Sequence, residues 1–518
     1  MRKYNLGFVL FSLLILAGCS ANKMQTKNIY KNSKIQTYLP YSDLARISHL
    51  SLEYDGYLIG IEKRERESLR GIPEECYPDR FSLLSESKEN SGDPEIKKKK
   101  KRDKNFKRYT GDDTAMLITH IARYFEEPDN SPFNTHRKPY FLYNAYDEYK
   151  KDDLNYEDGY EALECLEKRL VSDLKEKVHT WRREPEKQEK PYSHIIILSM
   201  GWNNNQQESI YRYNTILDKV KNAAHNEKGD SFNPLVIGFT WPSVWSGIEN
   251  NWLKKNTVFL FSYFTKQGDA DEIGCTIANW VIHKVVLSAK EEFQTDCKKE
   301  YKEDFSPRIV AIGHSMGAQI LSQAIISKEY IKPEKSEKSE LRKSSSESHA
   351  DLFIGLQGAF SAKRFVANAG WEGSPYAGFK DYETKFTLTS SRYDTANQTA
   401  RFITGSRHVG GKYGLAYAEK KENEEEKNKK IKKENNEGVF HVIKWTNNYE
   451  TDLDKLSKIP KEDEKKVILI DASVIVDGCN SSNGENKPND AHNDILDKDM
   501  GQLIWLLIKR FAPFSVST

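Results

Sequence analysis

The sequence predicts an α/β fold, a mostly parallel sheet with helices on both faces, over roughly residues 186–518. Two patterns carry that expectation. Short runs of β-branched and aliphatic residues recur at strand length, and stretches with apolar residues at helical spacing separate them. Strands joined through helices in this way run parallel, with right-handed crossovers. A third observation is the turn Gly313-His314-Ser315-Met316-Gly317, which lies between a strand pattern and a helix pattern.

Taken in order, Glu161–Arg183 reads as an amphipathic helix because Leu163, Leu166, Leu170 and Leu174 recur every three or four residues. His194–Leu198 is a continuous aliphatic run, the pattern of a strand buried on both faces. A Gly/Asn-rich turn over Gly201–Asn205 leads into a helix over Glu208–His225. Leu235–Phe239 and Arg308–Ile312 read as strands, with a long helix over Asp271–Phe293 between them and a helix over Ala318–Ile326 after the second. Leu352–Leu356, Phe386–Thr389 and Val467–Ile470 supply further strands, Val439–Ile443 is strand-like, and Met500–Ile508 is helical. Residues 28–185 are expected to form an N-terminal elaboration packed on this core, with Tyr54–Glu65 a strand and Asp112–Phe125 a helix.

Composition narrows the class. Charged residues make up 30% of the 518 and hydrophobic ones 37%, against a globular norm of about 25% and about 45–50%. Uniform disorder is excluded by 23 Phe, 27 Tyr and 9 Trp. Lys+Arg 79 against Asp+Glu 77 leaves a net charge of +2, so no global field recommends a nucleic-acid partner, and none is expected. The charge is concentrated in 88–108, 333–348 and 419–437, which are expected to be flexible surface insertions.

The first residues suggest a compartment. Met1-Arg2-Lys3 is basic, and the apolar run Leu6–Leu16 follows. As a helix that run would rise only about 16 Å, short of the roughly 30 Å hydrocarbon layer, so residues 1–18 read as a signal peptide. Leu16-Ala17-Gly18-Cys19 resembles the lipobox of bacterial lipoproteins. The resemblance implies cleavage before Cys19, acyl chains (palmitate or similar) on that cysteine, a tether over 19–27, and a lipid bilayer as partner. Ser20, where aspartate is absent, resembles the pattern of lipoproteins sent to the cell outer membrane. Cys76, Cys165, Cys275, Cys297 and Cys479 show neither zinc nor redox spacing, so no metal is expected and at most two disulfides can form.

The chemistry centres on Ser315. A strand that turns sharply into a helix crowds its own backbone, and Gly313 and Gly317 remove the side chains that would clash. Ser315 is then left projecting at the positive end of a helix, with the N–H of Met316 as one oxyanion donor. The second donor should come from the turn after an earlier strand, and Met200-Gly201-Trp202-Asn203-Asn204 follows Ile195–Leu198 directly. This turn resembles the His-Gly-x turn of α/β-hydrolases, and the resemblance implies Trp202 N–H as the donor, with Asn203 close enough to compete.

On Met200-Gly201-Trp202-Asn203, Phe239-Thr240-Trp241-Pro242-Ser243, Gly313-His314-Ser315-Met316-Gly317 and Ala491-His492-Asn493-Asp494, residues 186–518 resemble the α/β-hydrolases of serine esterase and lipase type. The likeness is greater to a group of uncharacterised bacterial α/β-hydrolases. Met200 stands where the family usually has histidine. The resemblance implies an α/β-hydrolase fold and a Ser-His-Asp triad in the chain order Ser, Asp, His. Asp394, after the strand Phe386–Thr389, is then the acid. Asp471 is the alternative, and Asp351 begins a strand and so lies at the wrong edge. His492, in a polar loop between the last strand and the last helix pattern, is the expected base. His408 comes only 14 residues after Asp394, and His441 lies inside a strand pattern.

The implied activity is carboxylic-ester hydrolysis through an acyl-enzyme by a membrane-anchored, esterase- or lipase-like enzyme of the bacterial envelope, without cofactor. Acyl transfer or peptide hydrolysis would use the same triad, and a non-catalytic lipoprotein using the fold as a binding scaffold is the competing class. Trp241, Trp245 and the apolar stretch 252–264 are read as core helix in preference to an acyl pocket or lid.

Overall fold

In the computed structural model of this chain, the described residues are 51–65, 114–125, 139–145, 156–184, 190–201, 204, 206–227, 232–241, 243, 266–302, 305–327, 350–367, 369, 375–398, 406–430, 438–478 and 491–514. Ten strands form one sheet: β1 (Gly56–Glu65), β2 (Thr114–Tyr124), β3 (Pro139–Asn144), β4 (His194–Ser199), β5 (Pro234–Thr240), β6 (Arg308–His314), β7 (Leu352–Leu356), β8 (Lys385–Ser390), β9 (Phe440–Lys444) and β10 (Val467–Asp471). Their order is β3-β2-β1-β5-β4-β6-β7-β8-β10-β9. From β1 to β9 in that order every pair is parallel, and β2 is antiparallel to both its neighbours.

Each central strand feeds two cores. In β4, Ile195 and Ile197 pack into one hydrophobic cluster and Ile196 and Leu198 into the other. This alternation inside an all-apolar run is what a strand covered on both faces requires. The first cluster takes Leu163, Leu166, Leu170 and Leu174 of α1 (Tyr156–Arg183), all essentially fully buried. Each of those leucines contributes about 2 kcal/mol through burial, which anchors a helix whose other face is charged. α2 (Gln206–Asn226) packs on the opposite face through Ile210, Tyr213 and Leu217.

A helical stretch over 266–301 follows, with Gly274–Ala278 and Val281–Val286 π-helical and Leu287–Tyr301 (α3) regular. It caps the end of α4 (Met316–Ile326). Asn279 Nδ2 donates to the carbonyls of Ala324 (2.7 Å) and Ser327 (3.0 Å), and His283 Nε2 donates to Ala324 (2.9 Å). These side chains satisfy C-terminal carbonyls that the helix leaves without partners. α5 (Lys412–Lys430), α6 (Tyr449–Ser457) and α7 (Lys498–Phe511) complete the layers.

Two segments differ from the sequence reading. Residues 112–125, expected as a helix, contain the strand β2. Met116, Leu117, Ile118 and Ile121 face one core while Ala122 and Tyr124 face the other. An apolar run buried on both sides carries no period that separates strand from helix. β1 to β3 therefore extend the same sheet as the later strands. Asp173 of α1 ties β1 and β2 down, accepting from Arg123 Nε (3.0 Å) and Nη2 (2.7 Å) and from the Tyr57 hydroxyl.

The charged segment 419–437 was expected to be flexible, yet it is helical to Lys430. Glu425 is buried against Lys466 Nζ at 2.8 Å, and Glu422 accepts from Val442 N at 2.9 Å. Carboxylates three residues apart on one helix face reach the edge of the sheet, a role that charge density alone does not reveal. The segments 88–108 and 333–348, the signal peptide, Cys19, the tether, Trp245 and 252–264 lie outside the described residues. Cys165, Cys275 and Cys297 are unbridged, and Cys76 and Cys479 lie outside the described residues.

Candidate active site

Ser315 sits where β6 turns into α4, with φ 55° and ψ −119°. This left-handed backbone costs a non-glycine residue about 1–3 kcal/mol and is kept only where the surroundings fix it. They do so here. Ser315 N donates to Leu356 O at 2.9 Å, and its carbonyl accepts from Ala359 N at 3.1 Å and Ala318 N at 3.2 Å. A Cβ at Gly313 would come within 2.5 Å of the Ala318 Cα, and one at Gly317 within 2.0 Å of the Ser199 carbonyl. The turn closes because both positions lack one. Met316 is the first residue of α4, where an amide has no acceptor within its own helix, so its N–H is available to an anion.

The turn after β4 lies against the serine. A Cβ on Gly201 would meet the Ser315 Cβ at 2.5 Å and its Oγ at 3.0 Å. This turn is latched from three sides: Asn204 Nδ2 donates to Gly201 O (3.0 Å), Trp241 Nε1 donates to Met200 O (2.9 Å), and Asn204 N donates to Ser243 Oγ (3.0 Å). Ser243 Oγ returns its own proton to Asn204 O. Trp202 and Asn203, the expected donors, lie outside the described residues.

Asp394 and His492, 98 residues apart, come together: His492 Nδ1 is 2.8 Å from Asp394 Oδ2. The carboxylate is wholly buried and the imidazole 17% exposed. Asp394 also caps a helical turn over 395–398, accepting from Asn397 N (3.0 Å) and Asn397 Nδ2 (2.8 Å). Asn397 Nδ2 donates as well to Gln357 O at 3.1 Å, and its Oδ1 accepts from His408 Nδ1 at 3.0 Å. His492 lies against the elbow, its ring centroid 4.7 Å from that of His314, whose Nε2 donates to the His492 carbonyl at 3.0 Å.

The alternatives fall elsewhere. His408 is buried and supports Asn397. His441 is the second residue of β9, at the amino edge of the sheet, with Nδ1 3.1 Å from Asp463 and 3.5 Å from Glu422. Asp351 is also at the amino edge, accepting from Ile309 N (2.7 Å) and Arg308 Nη1 (2.9 Å). Asp471 ends β10 and is engaged by Ser473 and by Arg392 Nη2 at 3.4 Å.

Gln357, Asn397, Trp241 and Ser243 were not assigned to the site from sequence. Asn397 had a signal, since an aspartate followed three residues later by a polar residue is a helix-start pattern. Gln357, at φ 46°, had none, because its role depends on how the loop after β7 meets the 394–397 turn. Among the described residues no three or more His, Cys, Asp or Glu are grouped to hold a metal, and no helix is long and apolar enough to cross a membrane. No protein-family model, no curated protein and no solved structure matches the chain.

Proposed function

We propose that the chain is a serine hydrolase of the α/β-hydrolase fold that cleaves carboxylic esters through an acyl-enzyme, held at the bacterial outer membrane by lipid on Cys19. The observation that carries this reading is the strained Ser315 at a strand-to-helix turn whose preceding residue, His314, is bonded to the main chain of a histidine that is itself bonded to a buried aspartate. Backbone strain of this kind clusters at active sites, which supports the reading over that of a binding scaffold.

The chemistry follows from the atoms. Asp394 accepts a hydrogen bond from Nδ1–H of His492, which leaves Nε2 as the nitrogen that removes the Ser315 proton as Oγ attacks the ester carbonyl. Asp394 also stabilises the imidazolium so formed. The oxyanion is held by Met316 N–H and by an N–H of the Gly201–Asn205 turn, for which Trp202 is the proposed source. His492 returns its proton to the leaving alkoxide, and water activated by the same nitrogen then releases the acid. Turnover of a short p-nitrophenyl ester by the full-length protein tests the reading: Ser315→Ala should abolish it, and full activity in that variant would refute it.

A further inference from the structure

The elbow holds more than its serine. His314 is fully buried, its ring rests on that of His492, and its Nε2 is 3.0 Å from the His492 carbonyl oxygen. A carbonyl can only accept, so the proton is on Nε2. Nδ1 is then a bare lone pair, and it is buried without a hydrogen-bond partner. Burial, with His492 and Arg212 nearby, drives the His314 pKa well below the usual histidine range, so the ring is neutral. A neutral aromatic ring beside His492 also tolerates the imidazolium that catalysis would create there.

The residues after the base are tied to other parts of the molecule. Arg212 Nη1 of α2 donates to Asn493 Oδ1 at 2.9 Å, and Gly478 N donates to Asp494 Oδ2 at 2.7 Å. His314 grips the main chain of His492 itself, and it is the chain neighbour of Ser315. We propose that His314 is a positioning residue: by donating Nε2–H to the His492 carbonyl it fixes the base relative to the elbow that carries Ser315. This rests on the hydrolase reading given above.

Two variants separate the donor from the ring. His314→Phe keeps a ring of similar size and removes the N–H, and His314→Gln restores a donor near the Nε2 position. Because a misplacement of about 1 Å can cost on the order of 10²-fold, His314→Phe should lower kcat at least tenfold. KM should stay within about twofold, since substrate binding is not touched. His314→Gln should recover most of kcat. Amide hydrogen exchange over 491–496 should be faster in His314→Phe and close to wild type in His314→Gln. If His314→Phe does not fold, His314→Asn, whose amide is too short to reach, takes its place with the same expectation. Unchanged kcat and unchanged exchange in the donor-less variant, or a His314→Gln variant as impaired as it, would overturn the proposal. A wild-type protein with no esterase activity would instead defeat the hydrolase reading, and the exchange comparison would still decide whether His314 holds the loop.

Discussion

Among the described residues two histidines each face a carboxylate at about 3 Å, and only one of them adjoins the turn that carries Ser315. His492 Nδ1 is 2.8 Å from Asp394, and His441 Nδ1 is 3.1 Å from Asp463. Asp394 is wholly buried and bonded to Asn397, whereas Asp463 stands at the amino edge beside Glu422 and Lys466. A His–carboxylate pair becomes a candidate base by its edge of the sheet. Loops at the carboxyl ends of parallel strands converge on Ser315, and those at the amino ends do not.

His492→Ala should lower kcat by at least about 10⁴-fold in an ester assay, and Asp394→Asn by a comparable order, because the imidazole then loses its fixed tautomer. Gly201→Ala should cost about 10²–10³-fold, since the new methyl pushes the turn off Ser315 and displaces an oxyanion donor. Circular dichroism on the same sample should show the fold retained. His441→Asn should leave hydrolysis unchanged and shift stability by no more than about 1 kcal/mol, as expected for a partly exposed pair. A large loss of activity in His441→Asn would erase the contrast between the two histidines.

Buried histidines whose pKa values are lowered chiefly by desolvation form a third group and predict a pH effect on stability. Burial lowers His120 to about 3 and His194 to about 4. Their folded pKa values lie below the unfolded value of about 6.5, so the unfolded chain binds more protons as the solution is acidified. The stabilisation is complete above about pH 6.5 and is lost as pH falls toward 4 and 3. At pH 5 each should cost about 2 kcal/mol. A thermal melt that falls between pH 7 and pH 5, and falls less in His194→Gln, is the expected result.

What could be read in the sequence follows the range of the interactions. Ser315 was legible because the elbow is local: strand, two glycines and helix lie within twenty residues. The parallel core was legible because strands buried on both faces are continuous apolar runs. β2 was misread for the same reason, since such a run fits helix and strand alike. The Asp394–His492 pair spans 98 residues, and it could be anticipated only from the chain order of a resembled family. Its supports, Gln357 and His408, meet Asn397 through the loop after β7 and the segment before α5, and no local pattern announces such contacts. Nor does composition tell an anchored charge from a solvated one, as Glu425 against Lys466 shows.

Covalent labelling by a fluorophosphonate, followed by peptide mapping, tests most directly whether Ser315 is an activated nucleophile. The full-length protein should take up one probe, on Ser315, and labelling should vanish in His492→Ala although the serine remains. An unlabelled protein, or a label on any other residue, would contradict the account.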